Sequence, residues 1–375
     1  MIAVLLAVAV SQGAVPTSAQ PSAVQVANER RLAATPSLLA QYFDPPRRVR
    51  FEPWVSSYGQ AISADCTMLY FIGDNDAGIH LLRRSLATGD VTIGPTVQVH
   101  GDLYTLPNEL DHMAVVWQVG GASGPFGVGI IDLRDGIIEP LTVRSDRRPQ
   151  EGLPKPGRGP GSALPGLIDD ADTFSNGEVL VAPSGRFLAV GHTPPSGDCY
   201  LPEFMVFNTA SNSLEYRFVP TKAGAQQSQG HGESGKATSV GCDDTWEAFW
   251  HEGDILRIFR LRSSGYKAMF EVSHNNGGEW RSSPEKPIGR VPETRPSQSL
   301  GPRDRRLVLA KGADGPSFEI DPAALFPREQ AGLSVVYGPC CVVILHPLPR
   351  DATQQRGVEA VILRWKNQAT PIQNQ

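Results

Sequence analysis

The stretch AISADCTMLYFIGDNDAGIHLLRRSLATG, residues 61–89, constrains the fold more than any other part of this chain. A turn at 63–66 leads into an apolar run at 68–72. A tight turn at 74–78 leads into a second run at 79–82, and a third turn closes at 87–89. Short β runs cut by Gly, Asp and Asn at this interval describe antiparallel strands joined by hairpins. The same grammar recurs along the chain, which points to a radial β-repeat fold. The 38 Gly and 32 Pro, with few long apolar runs, favour a turn-rich all-β protein over a helical one.

The first unit spans 49 to about 94. A second carries Leu106-Pro107-Asn108-Glu109, runs at 112–119 and 127–133, the turn Arg134-Asp135-Gly136 and a strand at 137–143. A third carries Ala182-Pro183-Ser184-Gly185, runs at 186–191 and 204–208, the turn Ala210-Ser211-Asn212 and a strand at 214–219. In the fourth, Cys242-Asp243-Asp244 precedes runs at 245–251 and 255–261, the turn Ser263-Ser264-Gly265 and a strand at 266–272. A shorter fifth unit holds 306–310 and 317–320, and a sixth holds 340–345 and 358–365. The excess length between units falls in Pro/Gly/Ser loops, chiefly 146–165 and 221–239, as repeat folds allow.

Upstream, residues 2–10 form an apolar run too short to cross a bilayer, followed by Thr17-Ser18-Ala19, which suits signal peptidase. Residues 1–19 are therefore expected to be a secretory signal peptide cleaved after Ala19. No Lys or Arg precedes the apolar run, so either the start lies upstream or the basic segment is minimal. Residues 20–46 read as a linker with one short helix, 28–42, ended by Pro45-Pro46. The repeat domain is expected to cover 47–375. Net charge is −5 with no long basic block, which argues against nucleic acid as the main partner.

Five cysteines stand at 66, 199, 242, 340 and 341. Export makes disulfides plausible, the odd count leaves one thiol over, and no CxxC pair or His/Cys cluster has zinc spacing. If the units close into a ring, Cys199 and Cys242 come from adjacent units. Cys66 of the first unit would then meet Cys340 or Cys341 of the last.

The run Ala182-Pro183-Ser184-Gly185-Arg186-Phe187-Leu188-Ala189-Val190 resembles the S-P-D-G-K-x-L-A-F signature of the TolB-type, WD-like β-propeller repeat. Residues 71–89 are similar to that family's continuation, a short Asp/Asn/Gly turn and a strand closed by Gly. Asn108 and Arg303 stand where the family has Asp, and the WD dipeptide is absent. The resemblance implies a β-propeller of four-stranded blades. Six are expected, or seven if residues 47–54 belong to a further strand group. The family's usual role implies a protein-interaction scaffold.

Residues 273–280, Ser-His-Asn-Asn-Gly-Gly-Glu-Trp, match the Asp-box of sialidase-like propellers, a structural hairpin whose Trp packs between strands. In the strand order read above it follows a fourth strand, whereas that family places it between the third and fourth. Phe259-Arg260-Leu261 is no match for the sialidase Phe-Arg-Ile-Pro segment, so that chemistry is rejected. Residues 230–236 fit G-x-x-x-x-G-K, but Ala237 replaces the Ser or Thr that would hold magnesium, and no strand leads in. No G-x-S-x-G or H-E-x-x-H motif is present.

Asp169, Asp170 and Asp172 could offer oxygens to Ca2+; Asp74-Asn75-Asp76 reads as hairpin chemistry instead. No other cofactor is implied. In a four-stranded blade, the connections from strand two to three and from blade to blade emerge on one face. Those from one to two and three to four emerge on the other. The long connections, 144–176, 193–203, 220–239, 273–298 and 346–357, fall in the first set. The expectation is an exported, periplasmic or secreted, monomeric propeller that binds a protein or carbohydrate partner on this face. Its candidate residues are Asp169, Asp170, Asp172, Asp198, His231 and Glu233. The alternative is a propeller enzyme, a lyase or glycosidase, with its site on the same face.

Overall fold

The computed structural model describes residues 31–33, 36–51, 58–75, 78–118, 125–141, 174, 177–192, 202–219, 244–262, 265, 267–275, 278–289, 307–310, 317–326, 332–350 and 356–366. The described chain opens with β1 (Arg31–Ala33), a helix (Pro36–Tyr42) and β2 (Arg47–Phe51). Two antiparallel sheets follow in chain order. The first is β3 (Tyr58–Ile62), β4 (Met68–Asn75), β5 (Gly78–Ser85) and β6 (Val91–Thr96); the second is β7 (Gly101–Thr105), β8 (His112–Gln118), β9 (Phe126–Asp132) and β10 (Ile138–Pro140). The third is β11 (Gly177–Val181), β12 (Phe187–His192), β13 (Glu203–Asn208) and β14 (Ser213–Phe218). The fourth is β15 (Thr245–His251), β16 (Ile255–Leu261), β17 (Lys267–His274) and β18 (Trp280–Ser282), with β19 (Lys286–Pro287) also on β17.

The last two sheets borrow strands from the start of the chain. β20 (Leu307–Ala310) pairs with β21 (Ser317–Ile320), and β1 adds parallel to β21. β22 (Ser334–Tyr337), β23 (Cys341–Arg350) and β24 (Arg356–Arg364) are completed by β2, antiparallel on β24. Six sheets are thus present among the described residues.

Packing joins neighbouring sheets at five of the six junctions among the described residues. Ile72, Leu81 and Trp117 share one core between the first and second sheets, and Leu106, Val128, Leu188 and Phe207 share another between the second and third. Phe187, Val206, Leu256 and Phe270 join the third to the fourth. Leu309 and Phe318 pack on Ile344 and Leu363 of the last sheet, whose other side, with Phe51, Val343 and Ala360, meets Ile62 and Leu69 of the first. The architecture is a β-propeller. Middle strands such as FLAVGH and EFMVFN are buried nearly throughout, because a neighbouring blade covers each of their faces. The outermost β14, SLEYRF, alternates instead.

Close blade contact explains two glycines. A Cβ on Gly127 would lie 2.2 Å from the indole of Trp117, and one on Gly185 would lie 2.1 Å from the Pro107 carbonyl oxygen. Gly185 also holds φ +75°, which only glycine adopts freely.

Four readings of the sequence are corrected. Residues 47–51 do not open the first blade; their burial pattern places Val49 and Phe51 on the last one. The helix is confined to Pro36–Tyr42, and Arg31–Ala33 upstream is a strand. In the fourth blade every strand moves one place earlier. Thr245–His251 is the innermost strand and 263–265 falls between the second and third. The Asp-box therefore lies between the third and fourth strands, as in the family that carries it. Finally, residues 346–350 are strand, so the last long connection shrinks to 351–355.

The Asp-box hairpin is built as its sequence requires. Asn275 Oδ1 accepts from the Glu279 amide at 3.0 Å, Gly278 turns at φ +80°, and Trp280 packs edge-on against Phe187 at 4.9 Å.

Candidate functional site

Polar groups fasten both faces of the ring. On the short-turn face, the first turns of successive blades bond to one another. Thr105 Oγ1 donates to the Ile62 carbonyl at 2.6 Å, joining blades one and two. Asn108 Nδ2 donates to the Ser184 carbonyl at 3.3 Å, and the Ser184 amide donates to Asp254 Oδ1 at 3.1 Å, carrying the series on to blades three and four. Asn108 and Asp254 both adopt positive φ, +70° and +56°, which Asn and Asp tolerate better than other side chains. Between the last blade and the first, the corresponding turns are covalently joined: Cys66 and Cys340 form a disulfide with Cα atoms 6.1 Å apart. Arg364 adds a hydrogen bond to the Cys66 carbonyl at 2.9 Å. Cys341 is a free, buried thiol whose pKa burial pushes up to about 12.

On the other face, acidic groups pair with basic side chains near the strand ends. Glu203, nearly buried, faces His192 Nε2 at 3.2 Å and Arg217 Nε at 2.6 Å, where β12, β13 and β14 meet the 193–203 connection. In blade four the buried Arg260 is bound to Glu285 and lies 3.9 Å from Asp244, which also holds Arg262 at 3.1 Å. In blade one, Asp74 pairs with His100 at 3.4 Å.

Nearer the axis, two carboxylates open the innermost strands of adjacent blades, Asp102 on β7 and Glu178 on β11. Asp102 keeps open surface but is crowded by protein, and desolvation raises its pKa although it accepts from the Gly59 amide. The half-buried Tyr104 beside it is pushed up to about 12, first by burial and then by the charges of Asp102 and Glu178. The arrangement can attract and pair with a cationic group at the axial mouth of this face. Among the described residues no three His, Cys, Asp or Glu are grouped to hold a metal ion.

Asp169, Asp170, Asp172, Asp198, His231 and Glu233 lie outside the described residues, as do Cys199 and Cys242. Asp102, Tyr104 and Glu178 were missed by sequence reasoning, though a signal exists. The first three innermost strands carry Gly59-Gln60, Gly101-Asp102 and Gly177-Glu178, a Gly–polar pair repeated shortly before each blade's first turn.

A second concavity, about 380 Å3, lies between blades one and two on the short-turn side. It is lined by Tyr70, Leu81, Arg83, Gly94, Pro95, Leu110, Asp111, Leu133 and Arg134.

No family model and no curated relative matches this chain. Among solved structures it is similar to TolB from Acinetobacter baumannii, at 11% identity and TM-score 0.35, over 82% of this chain and 54% of that one. The chain thus spans about half the length of that protein. The propeller domain of the Trilobed protease from Pyrococcus furiosus matches at 8% identity and TM-score 0.34, over 77% and 79%. The acylaminoacyl peptidase of Pyrococcus horikoshii matches at 9% and 0.36, over 77% and 43%. The propeller assignment rests on the sheets and their packing described above.

Proposed function

We propose that this protein is an exported β-propeller scaffold that holds a partner protein on its long-connection face, with a basic group of the partner entering the mouth beside Asp102 and Glu178. One observation carries the reading: solvent-exposed carboxylates stand on the innermost strands of adjacent blades at the long-connection face. On the short-turn face the first turns of neighbouring blades are tied by side-chain bonds and a disulfide. The opposite face carries two solvent-exposed carboxylates, Asp102 and Glu178, on its innermost strands. A desolvated carboxylate held open to solvent is costly to the fold and useful to a ligand, which is why such groups mark binding sites. The disulfide supports an oxidising compartment. No helix among the described residues is long and apolar enough to cross a membrane.

The test is capture from the native source with the intact chain and with the Asp102→Asn, Glu178→Gln double variant. Recovery of the partner is expected to fall about tenfold, the scale of one lost charge contact at an interface, while the melting temperature does not fall. Unchanged capture by the double variant, with loss on substituting Ser211 or Glu252 at the short turns, would place the site on the wrong face.

A further inference from the structure

The groove between blades one and two is independent of that site and of the bonds that stitch the ring. Leu81, Pro95, Leu110 and Leu133 line part of it, beside Arg83, Asp111 and Arg134. Among the described residues the exposed large apolar side chains are Ile93, Leu110, Ile137 and Val219, and the first three belong to this junction. Leu110 lies in the groove at 60% exposure, Ile93 adjoins Gly94 in its wall, and Ile137 follows Gly136, which packs against Pro95. A cluster of open apolar side chains around a concavity marks a contact surface, where single ones do not.

The charges around the groove differ in how free they are. Arg134 is held in a two-pronged pair with Asp132, and that pairing brings the Asp132 pKa down to about 2. Arg83 has no carboxylate partner among the described residues; the contact shown for it is the electrostatic one with the Tyr70 phenol. The groove therefore offers Arg83, which makes no ion pair among the described residues, beside apolar side chains. The nearby edge strand, β6, contains Pro95, which has no N–H to give an added strand. A ligand here is read by side chains, not by extending the sheet.

We propose that this groove docks an extended segment of a partner protein in which a bulky apolar side chain stands beside a carboxylate. The apolar group sits over Leu110 and Leu133, and the carboxylate pairs with Arg83.

The fluorescent full-length chain is probed with an array of short capped peptides. In it Leu, Ile or Phe is set adjacent to, or one residue from, Glu, Gln or Lys. Peptides with the apolar–Glu pair are expected to bind best, and Glu→Gln in the peptide weakens binding about tenfold. Arg83→Glu is expected to transfer the preference to Lys, and Leu110→Asp to abolish binding. Both positions are at the surface, and an unchanged melting temperature confirms that each variant is folded. Binding indifferent to the acidic residue, or unaltered by both variants, overturns the proposal. So does a dimer in sedimentation that Leu110→Asp dissolves, because the groove is then filled by a second copy.

Discussion

Single residues carry the clearest physical signals. Asp102 has a folded-state pKa raised by desolvation, so its ionised form costs the fold stability. Below the unfolded carboxyl's ordinary value of 3.8 both states hold the proton, and Asp102→Asn should change nothing. As pH rises through the raised folded value, the wild type loses stability that the amide variant keeps. Paired thermal melts across pH are expected to show Asp102→Asn gaining on the wild type towards neutrality; a variant less stable at every pH would contradict this. Cys341 makes a second prediction. With its pKa at about 12 and no exposure, it should resist alkylation in the native protein at mildly alkaline pH and react once denatured. Rapid native labelling at that position, mapped by mass spectrometry, would count against the packing described. Both residues could be read only in part from sequence. The Gly–acid pair at 101–102 repeats at 177–178, but desolvation depends on what the fold places opposite.

At the scale of the blade, turns decided which readings held. Turn and strand chemistry placed 63–66, 87–89 and 182–185 correctly, because Gly89 and Gly185 accept positive φ and Ser63 and Asp65 bond to nearby amides. The fourth blade was read one strand late. Its first turn, Glu252-Gly253-Asp254, lacks the Pro–Ser–Gly pattern, while Ser263-Ser264-Gly265 imitates the closing turns of its neighbours. β1 was not read as a strand, and β2 was read as one without its sheet: a strand added from far along the chain carries no local mark of its partner. Asp254 is the keystone of the stitched turns, with φ +56° and an acceptor for Ser184. Asp254→Ala should cost about 1–2 kcal/mol by losing that bond and straining the backbone, and Asp254→Asn should restore most of it. Trp280→Ala should cost about 3 kcal/mol through the cavity left against Phe187, read by denaturant unfolding. Loss of less than half that amount would mean that the Asp-box Trp does not fasten blades three and four.

For the whole molecule, the problem is closing a ring, and three devices meet at one seam. β2 completes the last sheet, the Cys66–Cys340 bridge spans a separation of 274 residues, and Arg84 reaches across. The Arg84 guanidinium, fully buried, donates to the Gly89 carbonyl and lies 4.8 Å from the Phe51 ring centroid. Removing the bridge as Cys66→Ser, Cys340→Ser should cost about 3–5 kcal/mol by freeing the unfolded chain, yet leave a folded ring because the strand exchange remains. The central proposal is that the long-connection face of this ring holds the partner. That claim is tested most directly by photo-crosslinking residues placed singly on each face, in cells of the native source. His100 and Glu178 stand at the long-connection face. Ser211 and Glu252 stand at the short turns, away from the groove between blades one and two. The account predicts one shared protein adduct from His100 and Glu178 and none from Ser211 or Glu252; adducts from the latter pair alone would contradict it.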